Sequence, residues 1–261
     1  MTAEELAAIF TPLPAGLELS ALDLARIPTH VAVIMDGNGR WAQERGKQRA
    51  LGHKAGVEGV RALIRTSNDL GVRYLTIYSF STENWARPRT EVMTLMDLFA
   101  KTMAAEIDGM HEEQVRIRVI GDMTPLPPKT RQTFEDAIVK TRDNAGMTLI
   151  IAVNYGSRQE ITEAAQAIAR QAAAGQLDAA AIDALTPADF AGYLQTADFP
   201  DPDLLIRTSG ELRLSNFLLY QLAYSELYIT DVLWPDFDKY ELLRAILAYQ
   251  KRNRRFGGVV S

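Results

Sequence analysis

The feature that most constrains the fold is a pair of short, uninterrupted apolar segments. Residues 31–35 read Val-Ala-Val-Ile-Met and residues 149–153 read Leu-Ile-Ile-Ala-Val, without the polar alternation of a half-exposed strand. A strand that is apolar on both faces suits a parallel sheet covered by helices on both sides. With four further apolar runs, the sequence predicts six strands, at 31–35, 74–80, 115–120, 148–153, 204–206 and 226–229.

Helical patterns lie between these strands. Apolar residues recur at helical spacing over 57–70 and over 92–107. Ser157, followed by Glu160 three residues later, fits a capping box at the start of an alanine-rich helix. Strands that alternate with helices are typical of a doubly wound sheet.

We therefore predict an α/β fold, a single domain with a six-stranded, mostly parallel sheet flanked by helices. Residues 1–25 are expected to form a peripheral N-terminal segment, and residues 26–261 the main domain. With 261 residues the chain is long enough to bury a sizeable core.

Composition argues against several classes of function. The chain has no cysteine, which removes thiolate nucleophiles, disulfides and zinc–thiolate sites, and its three histidines argue against a multi-histidine metal site. A net charge of −5 argues against non-specific nucleic-acid binding. There is no apolar run of about 18 residues and no secretory signal pattern, so we expect a cytoplasmic location.

Polar clusters follow three of the predicted strands. They span residues 36–41 (Asp-Gly-Asn-Gly-Arg-Trp), 81–87 (Ser-Thr-Glu-Asn-Trp-Ala-Arg) and 207–215. In an open parallel sheet, ligands bind beyond the carboxyl ends of the strands. The three clusters are therefore expected to form one site at one edge of the sheet.

The first cluster could hold phosphate groups. Gly37 and Gly39 would let the backbone approach a ligand closely and turn its N–H groups outward. A helix end contributes only about 0.3–1 kcal/mol per charge, whereas charged hydrogen bonds contribute roughly 1.5–3 kcal/mol each. The candidate donors are arginines, namely Arg40, Arg49, Arg87, Arg207 and Arg213. Taken alone, the loop fits a plain Asn-Gly turn equally well, and it lacks the glycine spacing of a dinucleotide fingerprint.

Asp36, at the end of a strand and amid these groups, is a candidate Mg²⁺ ligand, because Mg²⁺ takes one or two carboxylates plus phosphate oxygens. Glu226 is a candidate second ligand, although a salt bridge to an arginine explains it equally well. His53, close behind Arg49, could serve the site or simply lie at the start of a helix.

A set of motifs distributed along the chain resembles the cis-prenyltransferase family, and within it the bacterial enzymes that make undecaprenyl diphosphate. The resemblance covers roughly residues 28–258 and rests on the segments 30–41, 52–56, 79–88, 154–158, 206–211, 213–219, 226–228 and 234–237. The trans-type prenyl synthases carry Asp-Asp-x-x-Asp motifs, which this sequence lacks.

The resemblance implies an activity. Isopentenyl diphosphate would be condensed onto an allylic diphosphate, usually farnesyl diphosphate, with a Z double bond at each addition, by a Mg²⁺-dependent homodimer. It makes residues 26–261 the catalytic domain, with an apolar tunnel lined partly by residues 92–107. Small Ser79 favours a long product, undecaprenyl diphosphate, the precursor of the lipid carrier for cell-wall polysaccharide synthesis. Product release would involve peripheral contact with the inner face of the membrane, and the basic tail at 251–258 would reach towards the partner subunit.

The resemblance also implies roles for individual residues. Asp36 and Asn84 would be catalytic, and Asp36 and Glu226 would be metal ligands. The substrate-binding residues would be Gly37, Asn38, Gly39, Arg40, Trp41, Arg49, His53, Ser81, Thr82, Glu83, Trp85, Arg87, Arg207, Arg213, Leu214 and Ser215.

Three alternatives stay open from the sequence. A short-chain cis-prenyl diphosphate synthase would share these motifs and differ in product length. A non-catalytic partner subunit of a prenyltransferase would tend to lack the acid at position 36, which is present here. A nucleotide-binding oxidoreductase would need the glycine fingerprint that this chain lacks.

Overall fold

The computed structural model describes residues 2–252, and its central element is a six-stranded sheet. Along the sheet the strands are ordered β3-β4-β2-β1-β5-β6, and every neighbouring pair is parallel. The strands are β1 (His30–Ile34), β2 (Tyr74–Ser81), β3 (Arg116–Ile120), β4 (Thr148–Tyr155), β5 (Leu204–Arg207) and β6 (Glu226–Ile229). All six predicted strands are confirmed, and the sheet is wholly rather than mostly parallel.

Helices cover both faces of the sheet, as predicted for an α/β single domain. The two predicted periodic segments correspond to the two longest helices, α3 and α4. The helices are α1 (Ala3–Phe10), α2 (Asn38–Glu44), α3 (Arg49–Asp69), α4 (Arg89–Glu112), α5 (Pro128–Thr141), α6 (Ser157–Ala173), α7 (Ala179–Asp183), α8 (Pro187–Ala191) and α9 (Lys239–Gln250).

The continuous apolar character of β1 has a direct structural cause. Val31 and Val33 belong to a large buried cluster on one face of the sheet, and Ala32 and Ile34 belong to a second buried cluster on the other. Both faces are buried from Val31 to Ile34, which favours apolar side chains at these positions. The first residue of the strand, His30, is also buried, and its ring nitrogens lie within hydrogen-bonding distance of the Pro200 carbonyl and the Thr76 hydroxyl.

The first residues of the chain pack on the domain. Leu6 and Phe10 of α1 are buried in the larger cluster, and Phe10 lies against the ring of Tyr240. Two hydrogen bonds tie this region to α9, from the Lys239 amine to the Ile9 carbonyl and from the Tyr240 hydroxyl to the Pro12 carbonyl.

The predicted capping box at Ser157 is wrong. The cap of α6 is Gly156, without a side-chain bond, and Ser157 is the first residue of the helix. Glu160 is buried and accepts a hydrogen bond from the Tyr155 hydroxyl at 2.6 Å. The leading N–H groups of α6 bond instead to Asn216, a residue distant in sequence that the local pattern could not include.

An irregularity in β2 lies beside the site. Tyr78 pairs with Ala152 and Phe80 with Val153, so Ser79 is an extra residue on β2, a β-bulge. The neighbouring strand β4 has an extra residue of its own, because Phe80 pairs with Val153 and Ser81 with Tyr155. This extra residue is Asn154, whose φ of 48° lies in the left-handed region. Bulges re-aim side chains, and Ser79 lines the cavity described below.

Within residues 2–252, no helix is both long and apolar enough to cross a membrane.

Candidate active site

The loop after β1 fixes the position of the Asp36 backbone. The Asp36 carbonyl accepts hydrogen bonds from the Thr208 hydroxyl at 2.6 Å and from the Trp234 N–H at 3.0 Å, and the Asp36 N–H donates to the same hydroxyl at 2.9 Å. Gly37 caps α2 with a left-handed φ of 108°, and a Cβ there would lie 3.0 Å from the Leu233 side chain. The turn therefore requires glycine and holds Asp36 at the carboxyl edge of the sheet.

Asp36 forms an ion pair with Arg207 at the end of β5. One guanidinium nitrogen of Arg207 lies 2.8 Å from Asp36 Oδ2, and another donates to Ser215 Oγ at 2.9 Å and to the Arg213 carbonyl. The Arg207 side chain is only 3% exposed and Asp36 is 34% exposed. A buried guanidinium is costly without a nearby anion, so this pair links the ends of β1 and β5.

Two glycines of α3, Gly52 and Gly56, allow α2 to pack closely against α3. A Cβ on Gly52 would lie 1.9 Å from the Asn38 carbonyl oxygen, and one on Gly56 would lie 2.3 Å from Asn38 Oδ1. The Trp234 indole N–H donates to the Gly56 carbonyl at 2.9 Å. Asn38 Oδ1 is buried without a hydrogen-bond partner, beside the cavity. Such an unsatisfied acceptor is ready for a ligand donor or a water.

Arg49 and Arg87 share one carboxylate, that of Glu91, at 3.6 and 3.2 Å. The Arg49 guanidinium lies over Gly39, where a Cβ would come within 3.1 Å of it. Burial lowers the pKa of His53 from 6.5 to about 4, Arg87 and Arg49 lower it as well, and Glu91 opposes them. His53 is therefore neutral at pH 7, and its buried Nε2 has no partner. It can exchange a hydrogen bond with a ligand but adds no positive charge to the free site.

Asn84 lies in a short 3₁₀ helix, Thr82–Ala86, that follows β2. Its side-chain oxygen accepts the Ser81 N–H at 3.1 Å, and the Ser81 side chain accepts the Asn84 N–H, which completes a capping box. The Trp85 indole donates to Asn154 Oδ1 at 2.8 Å. These contacts fix the orientation of the Asn84 amide towards the cavity.

These groups surround one cavity of about 420 Å³ that changes character along its length. Its mouth is polar, lined by Asp36, Asn38, His53, Ser81, Asn84, Arg87, Arg207, Arg213 and Ser215. Its depth is apolar, lined by residues of α3, α4, α5, β2 and β4 that include Val57, Val60, Ile64, Ile77, Leu95, Phe99, Met103, Phe134 and Ile151. The space suits a molecule with an anionic head and an apolar tail.

The predicted arginines are paired in the free site. Arg40 and Arg213 share Glu211, Arg49 and Arg87 share Glu91, and Arg207 pairs with Asp36. Five guanidinium groups against three carboxylates leave a surplus of two positive charges. Anions entering the mouth would meet a modestly positive surface whose side chains are already held in place.

Not every predicted site residue faces this cavity. Arg40 turns towards the Ser209 carbonyl and Glu211, and the Trp41 indole donates to Asp236 at 2.7 Å. Glu83 and Leu214 line a neighbouring cavity of about 340 Å³, which shares Ser215 with the main one. The remaining predicted residues, Gly37, Gly39, Arg49, Thr82 and Trp85, support the loops around the mouth.

Glu226 is not brought to Asp36 within one chain. It is the first residue of β6, pairs with Leu204, and is thereby level with Val31, five residues before Asp36. At about 3.3 Å per residue and 4.8 Å per strand, the two residues are separated by more than about 15 Å. Glu226 forms an ion pair with Arg252 at 2.7 Å, the alternative considered from its sequence. The tail residues 253–258 lie outside the described part of the chain.

Three contributors to the site were not predicted. Thr208 holds the Asp36 backbone, Glu91 holds two arginines, and Trp234 closes the cavity over Gly56. Glu91 lies only four residues after Arg87 in sequence, so this pair is local, although Arg87 precedes the start of α4. The other two depend on contacts between distant segments.

Similarity to known proteins agrees with the arrangement. Residues 34–257 match the family model Prenyltransf, described as "Putative undecaprenyl diphosphate synthase". The chain is 52% identical over 238 residues to an isoprenyl transferase of Heliobacterium mobile, covering 91% of this chain and 90% of that protein. It is 51% identical over 236 residues to an isoprenyl transferase of Thermotoga maritima, covering 90% and 99% respectively.

Two solved structures are also similar. One is lavandulyl diphosphate synthase from Lavandula x intermedia in complex with dimethylallyl diphosphate, with a TM-score of 0.86 and 38% identity over 89% of this chain and 99% of that one. The other is a probable undecaprenyl diphosphate synthase from Campylobacter jejuni, with a TM-score of 0.73 and 30% identity over 88% and 98%. The chain therefore belongs to the undecaprenyl diphosphate synthase family of cis-prenyltransferases, and it is an isoprenyl transferase.

Proposed function

We propose that this enzyme condenses isopentenyl diphosphate onto an allylic diphosphate, farnesyl diphosphate in the simplest case, forming a Z double bond at each addition. The observation that carries the proposal is one continuous cavity with Asp36 and arginines at its mouth and an apolar interior. The mouth fits two diphosphates, and the interior fits a hydrocarbon chain that lengthens from its diphosphate end.

The two sides of the mouth would hold the two substrates. On the α2 and α3 side, the residues for the allylic diphosphate are Gly37, Asn38, Gly39, Arg40, Arg49 and His53. On the β5 side, those for isopentenyl diphosphate are Arg207, Arg213, Leu214 and Ser215. Asp36 lies between the two sides and is paired with Arg207. The residues that would shape and close the site are Trp41, Ser81, Thr82, Glu83, Trp85 and Arg87.

The residues at the mouth fit Mg²⁺ as the cofactor. Within residues 2–252 no three acidic or histidine side chains are grouped as a complete metal site. Mg²⁺ commonly binds one or two carboxylates plus substrate phosphates, so Asp36 with a diphosphate is a sufficient ligand set. The surplus of two positive charges does not balance two diphosphates, each of which carries several negative charges. When bound, Mg²⁺ would stabilise negative charge on the departing diphosphate.

The protein groups would perform the rest of the reaction. Arginine donors stabilise the leaving diphosphate, and the apolar walls exclude water from the allylic cation. An amide is a poor base, and the Asn84 oxygen is already engaged with the Ser81 N–H. We therefore assign Asn84 to positioning or relaying the proton lost from isopentenyl diphosphate, with a diphosphate oxygen as the final acceptor.

We further propose a long product, undecaprenyl diphosphate, destined to become the lipid carrier for cell-wall polysaccharides. Small Ser79 at the bulge leaves the cavity open beside β2. The enzyme would act in the cytoplasm, with residues 26–261 as the catalytic domain, and contact the inner face of the membrane as the product leaves. The similarity to lavandulyl diphosphate synthase favours a short-chain product as the second candidate.

One experiment tests the function. The purified full-length chain is incubated with Mg²⁺, labelled isopentenyl diphosphate and farnesyl diphosphate, and the product is analysed by chain length and double-bond geometry. We expect a long product with new Z bonds. A short product would select the second candidate. No incorporation with any allylic primer would refute catalysis by this chain alone and favour a partner subunit.

A second experiment tests the proposed homodimer and the role of Glu226. If Glu226 of one subunit joined Asp36 of the other at a shared metal, Asp36→Ala and Glu226→Ala would each inactivate every site. Mixed dimers of the two variants would keep one intact site. After denaturation and refolding together, we expect activity to return to about a quarter of that of wild type. Glu226→Ala with normal activity, or no complementation, would refute the shared site.

A further inference from the structure

The loop that follows Arg213 has an uncommon backbone. Ser215, Asn216 and Leu218 have φ values of 51°, 62° and 45°, all in the left-handed region. Asparagine tolerates this region, whereas serine and leucine adopt it at a cost in conformational energy. Leu218 is buried, and Ser215 accepts a hydrogen bond from Arg207. Contacts elsewhere must hold the loop in this shape.

Asn216 supplies several of these contacts by capping α6. Its backbone carbonyl accepts the Ser157 N–H at 2.8 Å, and its side-chain Oδ1 accepts the Arg158 N–H at 2.9 Å. In return, Ser157 Oγ accepts the Leu219 N–H at 2.9 Å. The loop, rather than a bound anion, therefore satisfies the first donors of α6.

The side-chain nitrogen of Asn216 contacts a different loop, the one that follows β2. Asn216 Nδ2 donates to Glu83 Oε1 at 2.9 Å. Burial raises the pKa of Glu83, but hydrogen bonds from Asn216, its own backbone, Ser81 and Thr82 together lower it below the usual range, so the acceptor is an anion at pH 7. One side chain thus joins the loops that follow β2 and β5 to the start of α6.

The surroundings leave little freedom to the amide. A Cβ on Gly156 would lie 2.7 Å from Asn216 Nδ2 and 2.7 Å from Thr82 Oγ1. Gly156 has an extended φ of −154°, so its backbone alone does not require glycine. The need for glycine there arises from the packing of Asn216 and Thr82 against it.

We infer that Asn216 is a positioning residue for isopentenyl diphosphate, which holds Arg213 and Ser215 in their binding geometry and orients Glu83 beside them. The inference rests on the proposed function. It predicts a selective defect, because the residues assigned to the allylic diphosphate lie on α2 and α3 and none of them is bonded to Asn216. Arg40 alone among them is linked to this loop, since it shares Glu211 with Arg213.

Steady-state kinetics on the full-length chain provide the test. Asn216→Ala should raise the KM for isopentenyl diphosphate about tenfold, the loss expected for a hydrogen bond to a charged group, and change the KM for farnesyl diphosphate less than about twofold. Asn216→Gly is the matched control, since it removes the amide but relieves the left-handed backbone. The same defect in both variants assigns the effect to the amide, and recovery in the glycine variant overturns the inference.

A pH profile separates the hydrogen bond from packing. Asn216→Asp places a carboxylate against Glu83 and removes the donor. Its KM for isopentenyl diphosphate should fall towards the wild-type value as the pH drops from about 8 to about 6, because one proton shared by the two carboxylates restores a donor. The ratio of the KM of Asn216→Ala to that of wild type should stay constant over the same range. A constant ratio for Asn216→Asp as well would count against the bond to Glu83.

If the Asn216 variants do not fold, Gly156→Ala provides a second test. The added Cβ displaces the Asn216 amide without removing it and should raise the KM for isopentenyl diphosphate. Equal increases in KM for both substrates, or none, would overturn the inference while leaving the function intact. Failure of the wild-type chain to incorporate isopentenyl diphosphate would instead refute the proposed function.

Discussion

Replacing Asp36 should affect catalysis and stability by different amounts, depending on the substituent. Asp36→Ala removes the anion beside Arg207, whose side chain is 3% exposed. Breaking a fully buried pair costs about 3–5 kcal/mol. Asp36 is one-third exposed, so solvent screens part of this cost, and we expect the free energy of unfolding to fall by about 2 kcal/mol. A domain of ordinary stability stays folded after such a loss.

Asp36→Asn separates the two effects. The amide oxygen can still accept the hydrogen bond from Arg207, so the expected loss of unfolding free energy is only about 1 kcal/mol. The carboxylate charge is absent in both variants, and turnover should fall by about 100- to 1,000-fold in each, as when one charge-stabilising group is removed from an active site.

Urea unfolding followed by circular dichroism gives the stability, and incorporation of labelled isopentenyl diphosphate gives the turnover. Asp97→Ala is a matched control, because Asp97 forms an exposed ion pair with Lys101 on α4 and should change neither quantity. Turnover of Asp36→Asn within about tenfold of wild type would refute the need for the charge. Unchanged stability of Asp36→Ala would refute the dependence of Arg207 on its partner.

Three further predictions concern other parts of the molecule. Burial lowers the pKa of His30 from 6.5 to about 4, so the contribution of its neutral form to stability is present above pH 6.5 and is lost as the pH falls to 4. In His30→Gln, the free energy of unfolding measured with urea should therefore fall by about 3 kcal/mol less than in wild type between pH 6.5 and pH 4. Gly52→Ala should lower the free energy of unfolding by about 1–3 kcal/mol through its clash with Asn38, whereas Gly109→Ala, in open space on α4, should not lower it. Ser79→Leu should shorten the product by filling the cavity beside β2, and an unchanged chain-length distribution in mass spectrometry would contradict that placement.

The sequence predicted the sheet and its reactive edge well for a physical reason. Residues 31–34 of β1 are buried on both faces and are all apolar, and this signal is local. Each loop that follows a parallel strand must emerge at the carboxyl edge, so the convergence of the loops at 36–41, 81–87 and 207–215 follows from topology alone. The cavity lining contains side chains from all three.

Features that depend on distant partners could not be predicted from local patterns. The acceptors for the first N–H groups of α6 are supplied by Asn216, and Ser157 is the first residue of the helix rather than its expected N-cap. His53 has its pKa lowered mainly by burial, a quantity that no motif encodes. The pairing of Arg40 with Glu211 and of Arg49 with Glu91 likewise forms only when α2 meets the loop after β5 and α3 meets α4.

Glu226 illustrates the difference between identifying a strand and placing a residue along it. In a parallel sheet, residues that follow a strand lie at the carboxyl edge, and residues that begin a strand lie at the amino edge. Asp36 follows β1, whereas Glu226 begins β6 and is level with Val31. No rearrangement of side chains spans that separation, because a carboxylate must lie within about 2.1 Å of Mg²⁺ to coordinate it. A shared metal therefore requires the carboxyl edge of one chain to meet the amino edge of another, so restored activity in mixed Asp36→Ala and Glu226→Ala dimers would support the metal site and the homodimer together.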